Sequence, residues 1–108
     1  MKLLTRAEEM LLIAIWRLQQ EAYGVRIREL VEELTGQKWA FGAIFVTLDR
    51  LAKQDFVTST LTEPTQERGG RSKRVYQLTV DGKNALMQVR KIQNNLWDGL
   101  ENLTTETA

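Results

Sequence analysis

The sequence predicts a mainly α-helical (α+β) fold with three short helices, a two-stranded hairpin and one long C-terminal helix. Three observations support this prediction. Apolar residues recur at helical spacing in three successive segments, β-branched residues flank a turn-rich connection after residue 55, and a last apolar stripe again has helical spacing. A chain of 108 residues with 43% hydrophobic and 27% charged residues fits one small globular unit.

The first helix is predicted over residues 6–20. Thr5, followed three positions later by Glu8, is the pattern of a capping box, in which each side chain accepts a hydrogen bond from the other residue's backbone N–H. The sequence AYG at 22–24 then interrupts the helical pattern. The apolar stripe of this helix consists of Leu11, Leu12, Ile15 and Leu18.

Two further amphipathic helices are predicted before the first strand. The second helix ends at the TG pair of positions 35–36, and the third covers about residues 42–54. Their apolar stripes consist of Ile27, Leu30, Val31 and Leu34 in the second helix, and of Phe41, Ile44, Phe45, Leu48, Leu51 and Ala52 in the third.

A hairpin with a long polar tip follows the third helix. The segments 56–62 (FVTSTLT) and 73–79 (KRVYQLT) are strand candidates, and EPTQERGGRS joins them as a turn-rich connection. The order helix, helix, helix, hairpin is that of the winged helix-turn-helix, in which the hairpin is the wing.

The C-terminal helix is predicted to start at the N-cap Thr79 and to reach the end of the chain. A helix of about 24 residues is roughly 36 Å long, which is more than a domain of this size covers. We therefore expect residues 1–79 to form the winged helix-turn-helix domain and residues 80–108 to form a dimerisation helix and tail. The predicted dimerisation residues are Ala85, Val89, Ile92, Leu96, Leu100 and Leu103.

Positive charge is concentrated around the wing, although the formal net charge of the whole chain is only +1. Residues 1–36 carry five cations and six anions, whereas residues 63–91 carry seven cations and three anions. A glycine-containing cationic loop suits a phosphate backbone, while an isolated basic run is more often a solubilising loop. Three helices directly upstream favour double-stranded DNA as the partner. The residues expected to contact its backbone are Lys38, Arg68, Gly69, Gly70, Arg71, Lys73 and Arg74.

Composition argues against an enzyme. The chain has no cysteine and no histidine, so it cannot form a thiolate site, a histidine-dependent triad or the usual zinc site. RGGRSKR lacks the GK[ST] ending of a P-loop and precedes a strand, so no nucleotide cofactor is expected. We find neither an export signal nor an apolar run of membrane-spanning length, and we expect a cytoplasmic protein without cofactors or metal.

Three segments in order resemble the PadR family of bacterial transcriptional regulators: AYGVRIRELVEELTG (22–36), GAIFVTLDRLAKQDFV (42–57) and EPTQERGGRSKRVYQLTVDGKNAL (63–86). A single helix after the wing resembles the short PadR subfamily. The resemblance implies a dimeric winged-helix repressor whose last helix forms the dimer. Some members of the family respond to small aromatic or phenolic ligands.

By this resemblance the third helix is the recognition helix, which enters the major groove. Its core face is expected to hold Ile44, Phe45, Leu48 and Leu51. Related sequences usually have tyrosine at the position of Phe45 and often have serine at that of Ala40. We therefore expect no phosphate contact through a hydroxyl at position 45 and no side-chain N-cap at position 40. The expected DNA-facing residues are Ala43, Val46, Thr47 and Arg50.

The tryptophans have different expected roles. Trp16 and Trp39 are expected to pack in the core or at a hinge. Trp97 lies beside the apolar stripe of the last helix, where two copies could sandwich a planar aromatic effector or only pack the dimer. The alternative function is a winged-helix module that binds a protein, not DNA, through its basic wing.

Overall fold

The computed structural model describes residues 3–63 and 72–104, and in them it has four α-helices and one antiparallel hairpin. Their order is that of the winged helix-turn-helix, which confirms the predicted fold class. The elements are α1 (Arg6–Leu18), α2 (Gly24–Thr35), α3 (Phe41–Lys53), β1 (Val57–Leu61), β2 (Arg74–Leu78) and α4 (Val80–Trp97).

The capping box predicted for α1 is present. The Glu8 N–H donates to Thr5 Oγ1 (3.1 Å), and the Thr5 N–H donates to Glu8 Oε1 (2.8 Å). The helix ends at Leu18, two residues earlier than predicted, and a 3₁₀ turn over Gln19–Glu21 leads to α2. Gln19 has a positive φ of 52°, which takes the chain out of the α-helical path at this position.

The core lies between α1, α2, α3 and one face of the hairpin. It consists mainly of the apolar stripes predicted for the three helices, together with side chains of both strands. The fully buried large residues of the helices include Leu11, Leu12, Ile15, Ile27, Ile44, Leu48 and Leu51, and the strands add Val57, Tyr76 and Leu78.

One predicted core tryptophan does not lie in the core. Trp39 is partly buried and packs against the core, as expected. Trp16, in contrast, is 52% exposed, and the Lys83 ammonium lies 5.0 Å from the centroid of its ring. Trp16 follows the buried Ile15 on α1, about 100° further around the helix, and therefore lies at the edge of the core-facing stripe.

Hydrogen bonds join the two strands of the hairpin to each other and also join β2 to the segment before α2. β1 and β2 pair from Val57 opposite Leu78 to Leu61 opposite Arg74. On the other side of β2, the Tyr76 N–H donates to the carbonyl of Ala22 (2.8 Å). The middle of β2 is therefore hydrogen-bonded to the chain just before α2.

The predicted N-terminus of α4 is confirmed, but its predicted length is wrong. Thr79 is the N-cap, and its Oγ1 accepts a hydrogen bond from the Gly82 N–H (2.9 Å). The helix ends at Trp97 after 18 residues instead of about 24. The backbone leaves the helical path at the C-cap Asp98 (φ −58°, ψ 131°), and Gly99 follows in a left-handed conformation (φ 85°).

This early end changes the expected dimerisation stripe. Ala85, Val89 and Ile92 are half-buried or buried against their own chain, whereas Leu96 is 69% exposed in the last turn of α4. Leu100 and Leu103 are exposed too, but they lie beyond the helix, so they do not extend its stripe. Whether these residues contact a second chain stays a prediction.

No helix in the described ranges combines the length and the apolar character that crossing a bilayer requires.

Candidate nucleic-acid interface

The recognition-helix candidate α3 starts without a side-chain cap. Its N-cap residue Ala40 has an extended backbone and offers no hydrogen-bond acceptor in its side chain. The first turn of α3 contains no acidic residue, whereas Arg50 and Lys53 lie in its last turn. Lys38, which we expected to contact DNA, is exposed in the connection between α2 and α3. The start of α3 therefore offers free backbone N–H groups and a nearby cation to an anion.

The structure agrees with three of the four residues expected on the outer face of α3. Ala43, Val46 and Arg50 are exposed. Thr47 is only 6% exposed, and its hydroxyl donates to the carbonyl of Ala43 within the same helix (3.0 Å). The expectation that Thr47 lies on the outer face is therefore wrong, since its one donor is already used in a buried position.

Phe45 was expected in the core, and this expectation is also wrong. The ring is 40% exposed and packs on the first residue of α2, where a Cβ on Gly24 would lie 2.9 Å from Phe45 Cζ. Its centroid lies 5.2 Å from that of Phe41, whose own ring has the Arg28 guanidinium carbon 5.3 Å from its centroid. Phe45 therefore covers the contact between α2 and α3 from outside.

The outer face of α3 also contains residues that our sequence analysis did not select. Gly42, Asp49 and Lys53 are all exposed. Helical periodicity could have found them, because Gly42, Asp49 and Lys53 lie opposite the buried stripe of Ile44 and Leu48. Asp49 and Lys53 add a hydrogen-bond acceptor and a donor to a face that we had expected to be poor in both.

At the start of β2, two of the expected phosphate-contacting cations lie within the described residues. Arg74 is exposed, and its guanidinium donates to Ser59 Oγ on β1 (2.9 Å). Lys73 is half-buried, with its ammonium 3.8 Å from the centroid of the Tyr23 ring. The expected tip residues Arg68, Gly69, Gly70 and Arg71 lie outside the described residues.

The side chain of Tyr76 on β2 connects the wing with α3 electrostatically. Burial raises the pKa of the Tyr76 hydroxyl, the positive charge of Arg74 opposes this rise, and the negative charge of Asp49 adds to it. Arg74 on the wing and Asp49 on α3 therefore both act on the same buried hydroxyl. We use the name α3–wing surface for the exposed outer residues of α3 together with Tyr23 and the two cations next to the wing tip, of which Tyr23 and Lys73 are half-buried; it consists of Ala43, Val46, Asp49, Arg50, Lys53, Tyr23, Lys73 and Arg74.

Other kinds of site find little support in the described parts of the chain. Within residues 3–63 and 72–104, no three Asp or Glu side chains are grouped so that they could hold a metal ion. An open groove of about 230 Å³ lies between the end of α1, the hairpin and the start of α4, and Trp16 and Lys83 are among its lining residues. Trp97, the candidate for effector binding, is 58% exposed at the end of α4.

Comparison with known proteins agrees with this architecture. The sequence profile described as "Transcriptional regulator PadR-like family" matches residues 11–88, which is more than half of the chain. This profile describes regulators and not enzymes. No curated protein sequence matches the chain.

Several solved structures share the fold over nearly the whole chain. A PadR family transcription regulator from hypervirulent Clostridium difficile is 26% identical, with a TM-score of 0.63, and the match covers 87% of this chain and 94% of that one. A PadR-like transcription factor from Bacteroides fragilis is 22% identical, with a TM-score of 0.70 and coverages of 92% and 93%. A transcriptional regulator from Clostridium thermocellum is 15% identical, with a TM-score of 0.71 and coverages of 92% and 90%. The profile match, on a winged helix-turn-helix chain, shows that this protein belongs to the PadR-like family of transcriptional regulators.

Proposed function

We propose that this PadR-like regulator is a cytoplasmic repressor that binds double-stranded DNA as a homodimer and responds to a small aromatic effector. The observation that carries the DNA-binding part is the α3–wing surface, which combines the uncapped recognition helix with cations at the tip-side end of the hairpin stem. Arg50 and Lys53 on α3 can donate to phosphate or base edges, and Val46 offers a methyl contact to thymine.

Asp49 suggests that affinity and sequence preference come from different parts of the proposed interface. Carboxylates repel phosphates, so an exposed Asp49 on the outer face adds nothing to backbone affinity, but its oxygens can accept a hydrogen bond from the cytosine amino group. Lys38, Arg71 and Lys73 supply the backbone affinity in this proposal. Affinity then comes mainly from the wing and the start of α3, and sequence preference comes from the middle of α3.

The salt dependence of DNA binding tests the role of the wing. If Lys38, Arg71 and Lys73 each neutralise one phosphate per subunit, the dimer makes about six contacts, and log K falls with log salt at a slope of about −5. The variant Arg71→Ala/Lys73→Ala is expected to weaken binding to all sequences alike and to reduce this slope to about −2. Fluorescence anisotropy with a random duplex between 50 and 200 mM salt measures both effects.

A matched control removes the same two charges elsewhere. Arg17 on α1 and Lys91 on α4 are exposed and lie outside the α3–wing surface. Arg17→Ala/Lys91→Ala is expected to leave the slope close to the wild-type value. If the wing variant and this control give the same slope as the wild type, the wing is not part of the DNA interface.

The alternative function is protein binding, and the apolar exposure of α3 favours it. Val46 is 59% exposed and Phe45 40% exposed, next to the carboxylate of Asp49. A protein-binding module is expected to flow through a column of immobilised random duplex at low salt. A repressor is expected to be retained and to elute as the salt concentration rises.

Effector binding is proposed at Trp97, where two copies could enclose a planar ligand. The supporting observation is its exposure on the last turn of α4, beside the exposed Leu96. A panel of planar phenolic acids and aromatic drugs is expected to quench the fluorescence of a variant in which Trp16 and Trp39 are replaced by phenylalanine. If Trp97 emission does not respond to any compound, Trp97 only packs the dimer.

A further inference from the structure

We propose that Tyr23 is a positioning residue for DNA binding: it fixes the wing against the start of α2 and holds the Lys73 ammonium beside the helix-turn-helix. The inference rests on the proposed DNA-binding function, and it assigns a role to a residue that our sequence analysis did not select. Tyr23 does not have to contact DNA itself in this role. It determines where a cation of the wing lies relative to α2 and α3.

The backbone of Tyr23 contacts both α2 and the wing strand β2. It is the N-cap of α2, and its carbonyl accepts the hydrogen bond from the Ile27 N–H (2.9 Å). Tyr23 also forms an isolated antiparallel bridge with Val75 of β2. Because the neighbouring Ala22 carbonyl accepts from Tyr76, two successive residues before α2 pair with the wing strand. The start of α2 and the wing strand β2 are therefore joined by direct backbone contacts.

The side chain of Tyr23 also contacts a charged group of the wing. The Lys73 ammonium lies 3.8 Å from the centroid of the Tyr23 ring, well within the range of a cation–π contact. The backbone of Lys73 is fixed as well, since its N–H donates to Thr62 Oγ1 (2.9 Å) and its carbonyl accepts from the Thr62 N–H (2.7 Å). Both ends of the Lys73 side chain are therefore held, at the last position of the hairpin stem before the tip.

A lysine held in this way binds a phosphate at a lower entropic cost than a free one. A free lysine loses the freedom of a long flexible side chain when it contacts a phosphate. The Tyr23 ring faces one side of the Lys73 ammonium. Because the ammonium has three N–H donors, donors remain for an acceptor on the opposite side. In this proposal Tyr23 orients the Lys73 ammonium so that it can bind a phosphate at the junction of the wing and α2.

A double-mutant cycle on duplex binding tests the proposal. Tyr23→Phe keeps the ring and is expected to bind DNA within about twofold of the wild type, whereas Tyr23→Leu is expected to bind about three- to tenfold more weakly. Lys73→Met is expected to lose at least as much, and Tyr23→Leu/Lys73→Met to lose no more than Lys73→Met alone. Lys73→Arg keeps a cation that can stack on the ring and is expected to retain most of the affinity.

A second measurement does not depend on DNA or on the folding of Tyr23→Leu. In the free wild-type protein, the ring current of Tyr23 is expected to shift the Lys73 Cε protons upfield in the NMR spectrum. The shift is expected to persist in Tyr23→Phe. Its absence from the wild type would overturn the proposal, because Lys73 would then not rest on the ring.

The binding data separate this inference from the proposed function. If the wild type does not bind duplex DNA at all, the proposed function fails. If the wild type binds but the losses from Tyr23→Leu and Lys73→Met are additive, only the positioning role fails. A loss in Tyr23→Phe equal to that in Tyr23→Leu would also overturn it, since the hydroxyl would then contact DNA directly.

Discussion

Gly82→Ala is expected to destabilise the fold by at least about 2 kcal/mol, because the added methyl group has no room. Gly82 lies in the first turn of α4, against the connection between α3 and β1. An alanine Cβ would overlap the carbonyl oxygen of Phe56 and lie 3.0 Å from its carbonyl carbon. These are backbone atoms, so no side-chain rotation can make space.

The start of α4 cannot simply move away from Phe56. The Thr79 N–H donates to the Phe56 carbonyl (3.1 Å), and Thr79 Oγ1 donates to the Asp55 carbonyl (2.6 Å). The same Oγ1 accepts from the Gly82 N–H, so a shift of the helix that relieves the overlap lengthens these hydrogen bonds. Replacing glycine by alanine inside a helix normally stabilises the helix by about 1 kcal/mol. The energetic cost of the overlap with Phe56 therefore has to exceed this gain.

A second glycine in a first helical turn provides the matched control. Gly42 is the second residue of α3, and a Cβ at this position would meet no atom within 4 Å. Gly42→Ala is expected to be neutral or to stabilise the fold by up to about 1 kcal/mol. Gly24→Ala should fall between the two variants, because the atoms it meets belong to the exposed ring of Phe45.

Urea unfolding followed by circular dichroism measures the three variants under the same conditions. The urea concentration at the midpoint is expected to be highest for Gly42→Ala, lower for Gly24→Ala and lowest for Gly82→Ala. The m-value is expected to stay unchanged. Equal midpoints for Gly82→Ala and Gly42→Ala would contradict the close packing of α4 on the connection between α3 and β1.

The sequence predicted the features of this fold that depend on neighbouring residues. Thr5 with Glu8, and Thr79 before α4, are local signals, and both caps form as predicted because the atoms involved lie within one turn. The apolar stripes of α1, α2 and α3 likewise follow from helical spacing. The end of α4 also had a local signal, the Asp98–Gly99 pair that is typical of a turn, but our prediction overlooked it and continued the helix to the end of the chain.

Errors occurred where a distant segment decides which side chain is covered. Phe45 and Thr47 flank the same stripe on α3, and hydrophobicity alone favours burying the phenylalanine. The structure buries the threonine, since its hydroxyl is satisfied within the helix, and places the phenylalanine on Gly24 of α2. The contact of Lys73 with Tyr23, fifty positions earlier, has no local signal at all.

Leu96→Glu is expected to weaken the proposed homodimer by about a hundredfold or more. On α4, Leu96 continues the stripe of Gly82 and Val89, both of which are buried, but Leu96 itself is 69% exposed. The described chain has no residue that covers this last turn, in a molecule 59 Å long and only 21 Å thick. In the proposed homodimer, a second copy covers this turn.

The size of the effect follows from the symmetry of the interface. A two-fold axis introduces the glutamate twice, and each carboxylate would lose its hydration in the proposed apolar interface. An uncompensated buried charge costs about 3 kcal/mol or more, which is more than a hundredfold in the dissociation constant. The monomer fold should be unchanged, because Leu96 is already exposed in the single chain.

Asn95→Glu is the matched control, since it introduces the same charge one residue earlier and about 100° around the helix. Analytical ultracentrifugation is expected to show a dimer for Asn95→Glu and a monomer for Leu96→Glu at micromolar concentration. Operator binding should weaken with dimer loss, because one winged helix contacts only one half-site. If both variants remain dimers, the last turn of α4 is not at the interface, and the exposed Leu96 needs another partner.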